Sequence, residues 1–171
     1  MKRFGVALVG LFVVPGCGYR LVGAAAESAE PLAVIPAPGI VASAAAEEGV
    51  VAGARAELAA GGLLASCDPR TDAQCPALVV ELVRVEEGGA ASGLATRDGP
   101  PLARSVTFTL RGRAFVRRTK DAPPEQLSPD VTVREFAARE DDPSTFHATR
   151  EETLRRAALR LGAQLVRRVL E

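Results

Sequence analysis

The chain has 171 residues, a length that suits one domain, and its 21 basic and 21 acidic side chains balance, so no overall charge would draw it to nucleic acid. It has no tryptophan and one tyrosine, which excludes a broad aromatic platform for stacking bases or sugars. The core must therefore be built mainly from aliphatic side chains.

The N-terminus has the pattern of a secretory signal. Two basic residues precede an almost wholly apolar run at residues 4–14, which leads through Gly16 to Cys17. The run is far shorter than the roughly 20 residues of a transmembrane helix. A cysteine directly after a small residue resembles a bacterial lipobox, in which the signal is removed and the cysteine is diacylated. We expect residues 1–16 to be the signal peptide and Cys17 to carry lipid. The alternative is an ordinary signal peptide that contains a cysteine.

A short tether and a single domain are expected after Cys17. Residues 17–30 are rich in small side chains and are predicted to link the lipid to a domain at residues 31–171. The domain opens with an apolar strand at residues 32–35, which a proline follows. Alanine and glutamate then favour a helix over residues 43–60, with glycine directly beyond its end.

Two glycines interrupt this helix. Gly49 and Gly53 lie four residues apart and so on one face, where each costs about 1 kcal/mol of helix stability relative to alanine. They could let the helix lie close against a sheet, or they could simply be tolerated. The sequence favours neither alternative.

Cys67 and Cys75 form an even pair once Cys17 is assigned to lipid. They bracket seven turn-forming residues, and a disulfide is allowed in an exported protein. Two free thiols are the alternative. A metal site would need more ligands, and His147 is the only histidine. We predict a disulfide and no metal or other cofactor.

The second half of the chain predicts three strands and a helix. Residues 78–85 form a β-branched strand with a glycine-rich turn at residues 88–99, and residues 105–117 alternate apolar with threonine and arginine. A proline-rich connection leads to a strand at residues 131–136. The last helix is predicted to start at a capping box formed by Thr149 and Glu152, and it carries an apolar stripe. The order indicates an α+β two-layer sandwich, β-α-β-β-β-α, with both helices on one face of a mainly antiparallel four-stranded sheet.

The sequence Cys17-Gly18-Tyr19-Arg20-Leu21 is similar to the start of the lipopolysaccharide-assembly lipoproteins of the LptE type. The tether, the first strand, the helix ending at glycine, the long hairpin and the basic last helix also follow that family's order. This resemblance implies a protein that docks as a plug in the barrel of the outer-membrane lipopolysaccharide translocon, of the LptD type, at the periplasmic face of that membrane. It also implies binding of lipopolysaccharide, with Arg97 in the turn at the hairpin tip as a contact.

Further arginines could extend that contact. Arg111, Arg113 and Arg117 share one face of the third strand, and the planar guanidinium group binds phosphate oxygens well. The alternative is that they form a solvated face or contact the barrel wall.

The sequence gives no sign of an enzyme. His147 follows two aspartates, but no nucleophile in a strained glycine-rich turn accompanies it, and no phosphate-binding loop is present. The competing functions are a lipoprotein activator of a periplasmic cell-wall synthase and an auxiliary lipoprotein of a lipid transporter.

Overall fold

The computed structural model describes residues 30–38, 43–91, 104–138 and 143–171 of the chain. The predicted order of elements, β-α-β-β-β-α, is confirmed in this part of the chain. The bounds are β1 Ala33–Pro36, α1 Ala44–Ala60, β2 Ala77–Ala91, β3 Arg104–Arg117, β4 Val131–Ala138 and α2 Pro143–Leu170.

The strands form one sheet in the order β1-β2-β3-β4. β1 runs parallel to β2 because α1 connects them as a crossover, whereas β2, β3 and β4 follow one another and pair antiparallel. β1 ends at Pro36, and Ala37 donates a last hydrogen bond of 2.8 Å to the carbonyl oxygen of Val80. β2 continues beyond this point without a strand on that side among the described residues.

Both helices pack on one face of the sheet, as predicted. The period-two pattern of β3 places Phe108, Leu110 and Ala114 inward, where each is at most 1% exposed. The apolar stripe of α2 meets this layer, and Leu161 and Leu165 are fully buried. The side chains that form this core come from α1, α2 and the inner face of all four strands. The expected aliphatic core is thus observed, with Phe108 as its largest side chain.

Two predicted boundaries are wrong. β2 runs on to Ala91, so Gly88 lies within the strand and not in the turn. In this region β2 remains paired with β3, so the backbone groups of the glycine-rich segment belong to the strand ladder and not to a turn. α2 begins at Pro143, so the predicted capping box at Thr149 and Glu152 lies inside the helix. Proline favours the first helical position because it has no N–H to leave unpaired there.

α1 begins where the sequence predicts. The Ser43 hydroxyl oxygen accepts a hydrogen bond from the Ala46 N–H at 3.3 Å, and the Gly61 N–H donates to the Glu57 carbonyl oxygen at 3.1 Å at the other end. These bonds satisfy backbone groups that have no partner within the helix.

The glycines of α1 face α2 and not the sheet. A Cβ atom built on Gly53 would lie 2.1 Å from the Leu159 carbonyl oxygen, and one on Gly49 would lie 2.7 Å from the Ala158 Cβ. Gly162 of α2 faces back in the same way, since its Cβ would lie 2.1 Å from the Val50 carbonyl oxygen. The glycines therefore allow two helix backbones to touch, and the hypothesis of close approach to the sheet names the wrong partner.

Cys67 and Cys75 are joined by a disulfide, as the sequence predicts, with their Cα atoms 5.9 Å apart. Cys75 is 3% exposed and lies two residues before the first residue of β2, Ala77. The loop between them also contacts the turn after β3, because the Lys120 N–H donates to the Ala73 carbonyl oxygen at 3.0 Å.

Replacing both cysteines by alanine should lower the free energy of unfolding by about 2–3 kcal/mol, since the bridge restricts the unfolded chain. The urea midpoint of the wild type should fall to that of the double variant when reductant is added. The double variant itself provides the control, because reductant should not change it. An unchanged wild-type midpoint in reductant would contradict a stabilising bridge.

Candidate functional site: the outer face of the sheet

The candidate site is the sheet face that points away from the helices. We call it the outer face. Its members, all exposed or half-buried, come from the three long strands and are Glu81, Arg84 and Glu86 of β2, Thr107, Thr109, Arg111, Arg113 and Arg117 of β3, and Thr132, Arg134 and Phe136 of β4.

A β-bulge builds the β2 part of this face. The register between β2 and β3 shifts between Leu82 and Arg84, which leaves Val83 as the extra residue. The shift turns Arg84 outward, opposite Arg111, and sends Val85 toward the core. Without it, the alternation of the strand would bury a charged side chain, at a high cost in free energy.

The predicted arginines of β3 share one face, as expected from their odd-numbered positions. Arg111 and Arg113 are exposed, and Arg117 is half-buried at the end of β3. Arg97 and Cys17 lie outside the described residues. Lipidation of Cys17 and binding of lipopolysaccharide by Arg97, Arg111, Arg113 and Arg117 stay predictions.

Two of the three arginines already have carboxylate partners. Arg113 donates two hydrogen bonds to Glu81, its neighbour across the strands, at 2.7 and 3.1 Å. These bonds and then the charge of Glu81 raise the pKa of Arg113 above its usual range. Arg111 forms an ion pair with Asp130, just before β4. A phosphate group would have to compete with these carboxylates.

The structure identifies Arg134 as a cation that the sequence reasoning missed. It lies on the outer face opposite Thr109, and like Arg117 it has no carboxylate partner among the described residues. The alternation of Val131-Thr132-Val133-Arg134 was the available signal, because it places Arg134 on the polar face.

Arg150, on α2, stabilises the fold instead of contributing to this face. Its guanidinium carbon lies 5.7 Å from the centre of the Phe108 ring, and its Nε donates to Glu87 at 2.9 Å. Hydrogen bonding to Glu87 raises the pKa of Arg150, although partial burial opposes the rise. Arg167 likewise binds Glu57 and so links the ends of the two helices.

A shallow groove of about 660 Å³ lies beside the start of β4. Its lining residues include Asp130, Val131, Thr132, Gln164 and Arg168, so it lies between the edge of the sheet and the end of α2. Its walls carry charges of both signs.

The described residues contain no group of three or more histidine, cysteine or acidic side chains that could hold a metal ion. His147 is exposed on the first turns of α2, and the neighbouring aspartates lie outside the described ranges. Within the same ranges, no helix combines the length and apolar character needed to cross a membrane.

The described chain is thus a two-layer α+β domain with one helix-covered and one polar sheet face. It is similar to the crystal structure of a "putative lipoprotein" from Caulobacter crescentus CB15, with a TM-score of 0.53 and 12% identity over 86% of this chain and 90% of that one. A minor lipoprotein from Acinetobacter baumannii gives a TM-score of 0.49 and 12% identity over 82% and 92% of the two chains. The first likeness shows a shared fold. No protein-family model and no curated protein matches the sequence.

Proposed function

We propose that this protein is a non-enzymatic lipoprotein of the outer membrane, anchored at its periplasmic face through Cys17, that docks in the lipopolysaccharide translocon barrel. There it supports assembly of the barrel and contacts lipopolysaccharide on its way to the cell surface. The observation that carries the proposal is the polar outer face, which the helices leave uncovered.

A polar sheet face suits the inside of a barrel. Barrels of the outer membrane have apolar exteriors and polar interiors, so a domain inside the lumen needs hydrogen-bonding side chains toward the wall. The threonines and arginines of the outer face supply them. The long hairpin of β2 and β3 extends this face well beyond the short β1.

The tether supports a partner close to the membrane. Fifteen residues separate Cys17 from Ala33, the first residue of β1, and fully extended this stretch spans about 55 Å. A regulator that reaches a cell-wall synthase across the periplasm would need a longer tether. The shared fold with a structure described as a lipoprotein agrees with an anchored domain.

The anchor and the partner can be tested in one experiment. We expect crosslinking in intact cells, followed by purification from outer membranes, to recover the large β-barrel of the translocon as the principal partner. A Cys17→Ala variant should leave the membrane fraction, because an acylated cysteine supplies about 0.8 kcal/mol of membrane affinity per buried methylene. Recovery of a cell-wall synthase without a large barrel would reject the proposal.

Binding of lipopolysaccharide should respond in opposite directions to the loss of an arginine and to the loss of a glutamate. Arg117→Ala should weaken binding roughly two- to fivefold, the effect of losing one ion pair of up to about 1 kcal/mol, and Arg97→Ala should do the same. Glu81→Gln should strengthen binding because it releases Arg113 from its carboxylate.

Matched controls lie on the helix layer, where Arg155→Ala and Glu48→Gln make the same changes in charge at exposed positions. Affinity is measured with purified lipopolysaccharide in detergent. Equal effects of the outer-face and helix variants would mean that only total charge matters, and would contradict a site on this face.

A further inference from the structure

One edge of the sheet is formed by β4. β4 is the last strand, and no strand lies beyond it in the part of the chain that the structure describes. It pairs with β3 over eight residues in one unbroken register. An edge strand of this kind presents a row of unpaired backbone N–H and C=O groups, which another extended segment can use.

The hydrogen bonds of β3 show which groups of β4 face outward. Val116 exchanges two backbone hydrogen bonds with Glu125, at 2.8 and 2.7 Å, and the Ala114 carbonyl oxygen accepts from the Ser128 N–H at 2.7 Å. Even-numbered residues of β3 therefore direct their backbone groups toward β4. Because hydrogen bonding alternates along an antiparallel strand, the register leaves the N–H and C=O groups of Thr132, Arg134 and Phe136 pointing away from the sheet.

The edge of β2 is less suitable for another strand. The bulge at Val83 interrupts its regular spacing, and bulges protect sheet edges from further pairing. β4 has no such interruption. It also carries Phe136, which is 64% exposed on the outer face.

Side-chain charge argues against a second copy of this chain on β4. Two copies of β4 can pair antiparallel only in registers that bring outward-pointing backbone groups together. Of these registers, the two with the largest overlap place Arg134 opposite Arg134 of the other copy, or Glu135 opposite Glu135. Like charges directly opposite each other destabilise a strand pair. Glu135 is held by Arg160 of α2, whereas Arg134 has no carboxylate partner among the described residues.

We propose that β4 is a strand-addition site for an extended segment of another protein, with an acidic residue opposite Arg134 and an apolar residue opposite Phe136. Main-chain hydrogen bonds to Thr132, Arg134 and Phe136 hold the segment, and the two side-chain positions select it. The alternate side chains of the added segment lie on the opposite face of the sheet, toward α2 and the groove, beside Gln164 and Arg168. We therefore expect these side chains to be polar. The proposal does not depend on the barrel or on lipopolysaccharide.

A symmetric probe peptide tests the site without assuming a strand direction. The acetylated and amidated peptide KTVTETVTK has one glutamate at its centre, flanked by valines on the same face. Added to the full chain in detergent, it should bind with a Kd of about 1 mM or tighter. By NMR, it should slow amide exchange at Thr132, Arg134 and Phe136 and leave β1 unchanged.

Three comparisons isolate the mechanism. A peptide with lysine in place of glutamate should bind about two- to fivefold more weakly, and Arg134→Glu should reverse that preference, whereas Arg155→Glu on α2 should not. A peptide N-methylated at the valines, the glutamate and the two threonines between them should not bind, because these N–H groups include the ladder donors of both strand directions. Thr132→Pro should weaken binding while the β3–β4 pairing persists, and Thr132→Ala should not.

Several results would overturn the proposal. These are no binding at about 1 mM peptide, equal binding of the N-methylated peptide, and slow exchange at Arg134 and Phe136 before peptide is added. Slow exchange that depends on protein concentration would assign the edge to a second copy. Slow exchange independent of concentration would assign it to another segment of this chain.

Discussion

Gly162→Ala should destabilise the domain by about 3 kcal/mol, at or above the upper end of what overpacking a core usually costs. The added Cβ would lie 2.1 Å from the Val50 carbonyl oxygen and 2.7 Å from the Ala54 nitrogen. Both are backbone atoms of α1, so no side-chain rotation can relieve the contact, and the two helices must move apart. Alanine is intrinsically about 1 kcal/mol better than glycine in a helix, so a loss of stability would report the contact itself.

Chemical denaturation of the full chain measures this effect, and two further variants test its cause. Gly88→Ala is the matched control, since no atom lies within 4 Å of the added Cβ, and its stability should change little. Gly53→Ala should also destabilise, because its Cβ would meet the Leu159 carbonyl oxygen. Once one substitution has separated the helices, the second should cost less, so the double variant should lose less than the sum. A neutral Gly162→Ala would mean that the helices do not touch at this point.

Phe108→Ala should cost about 3–5 kcal/mol and lower the melting temperature by roughly 10 °C. Phe108 is 1% exposed and is the largest fully buried side chain. Its removal leaves a cavity in the core on the inner face of the sheet and also takes away the ring against which Arg150 packs. That arginine would then depend on Glu87 alone.

Phe136→Ala is the matched control, because it deletes the same atoms from a side chain that is 64% exposed. Its effect on stability should stay within about 0.5 kcal/mol. Thermal unfolding followed by circular dichroism compares the two variants. Equal losses would contradict the assignment of Phe108 to the inner face and Phe136 to the outer face.

Local pattern was sufficient for most of the fold. The alternation of β3 separates Phe108 from Arg111 over a few residues, and Ser43 and Gly61 mark the ends of α1 through hydrogen bonds within one turn. Such features depend on neighbours in sequence, so they can be predicted from it. The predicted start of α2 was wrong. Thr149 and Glu152 fit the sequence pattern of a capping box, but the helix already begins at Pro143, a residue that suits the first helical position.

The candidate site was predicted only in part. The sequence placed Arg111, Arg113 and Arg117 on one face. It did not reveal the carboxylate partners, because Glu81 lies 32 residues from Arg113 and Asp130 lies 19 residues from Arg111. Arg134 comes onto the same face only through the register between β3 and β4.

By itself, the sequence determined the order of the elements, the polar and apolar faces of β3 and the apolar stripe of α2, because periodicity and capping act within a few residues. Only the tertiary structure decided that Gly53 meets α2, and, among the described residues, which arginines have no carboxylate partner and that β4 is the last strand of the sheet. These features depend on strand register, on the bulge at Val83 and on the approach of two helix backbones. Such relations join residues far apart in the chain, and no local pattern encodes them.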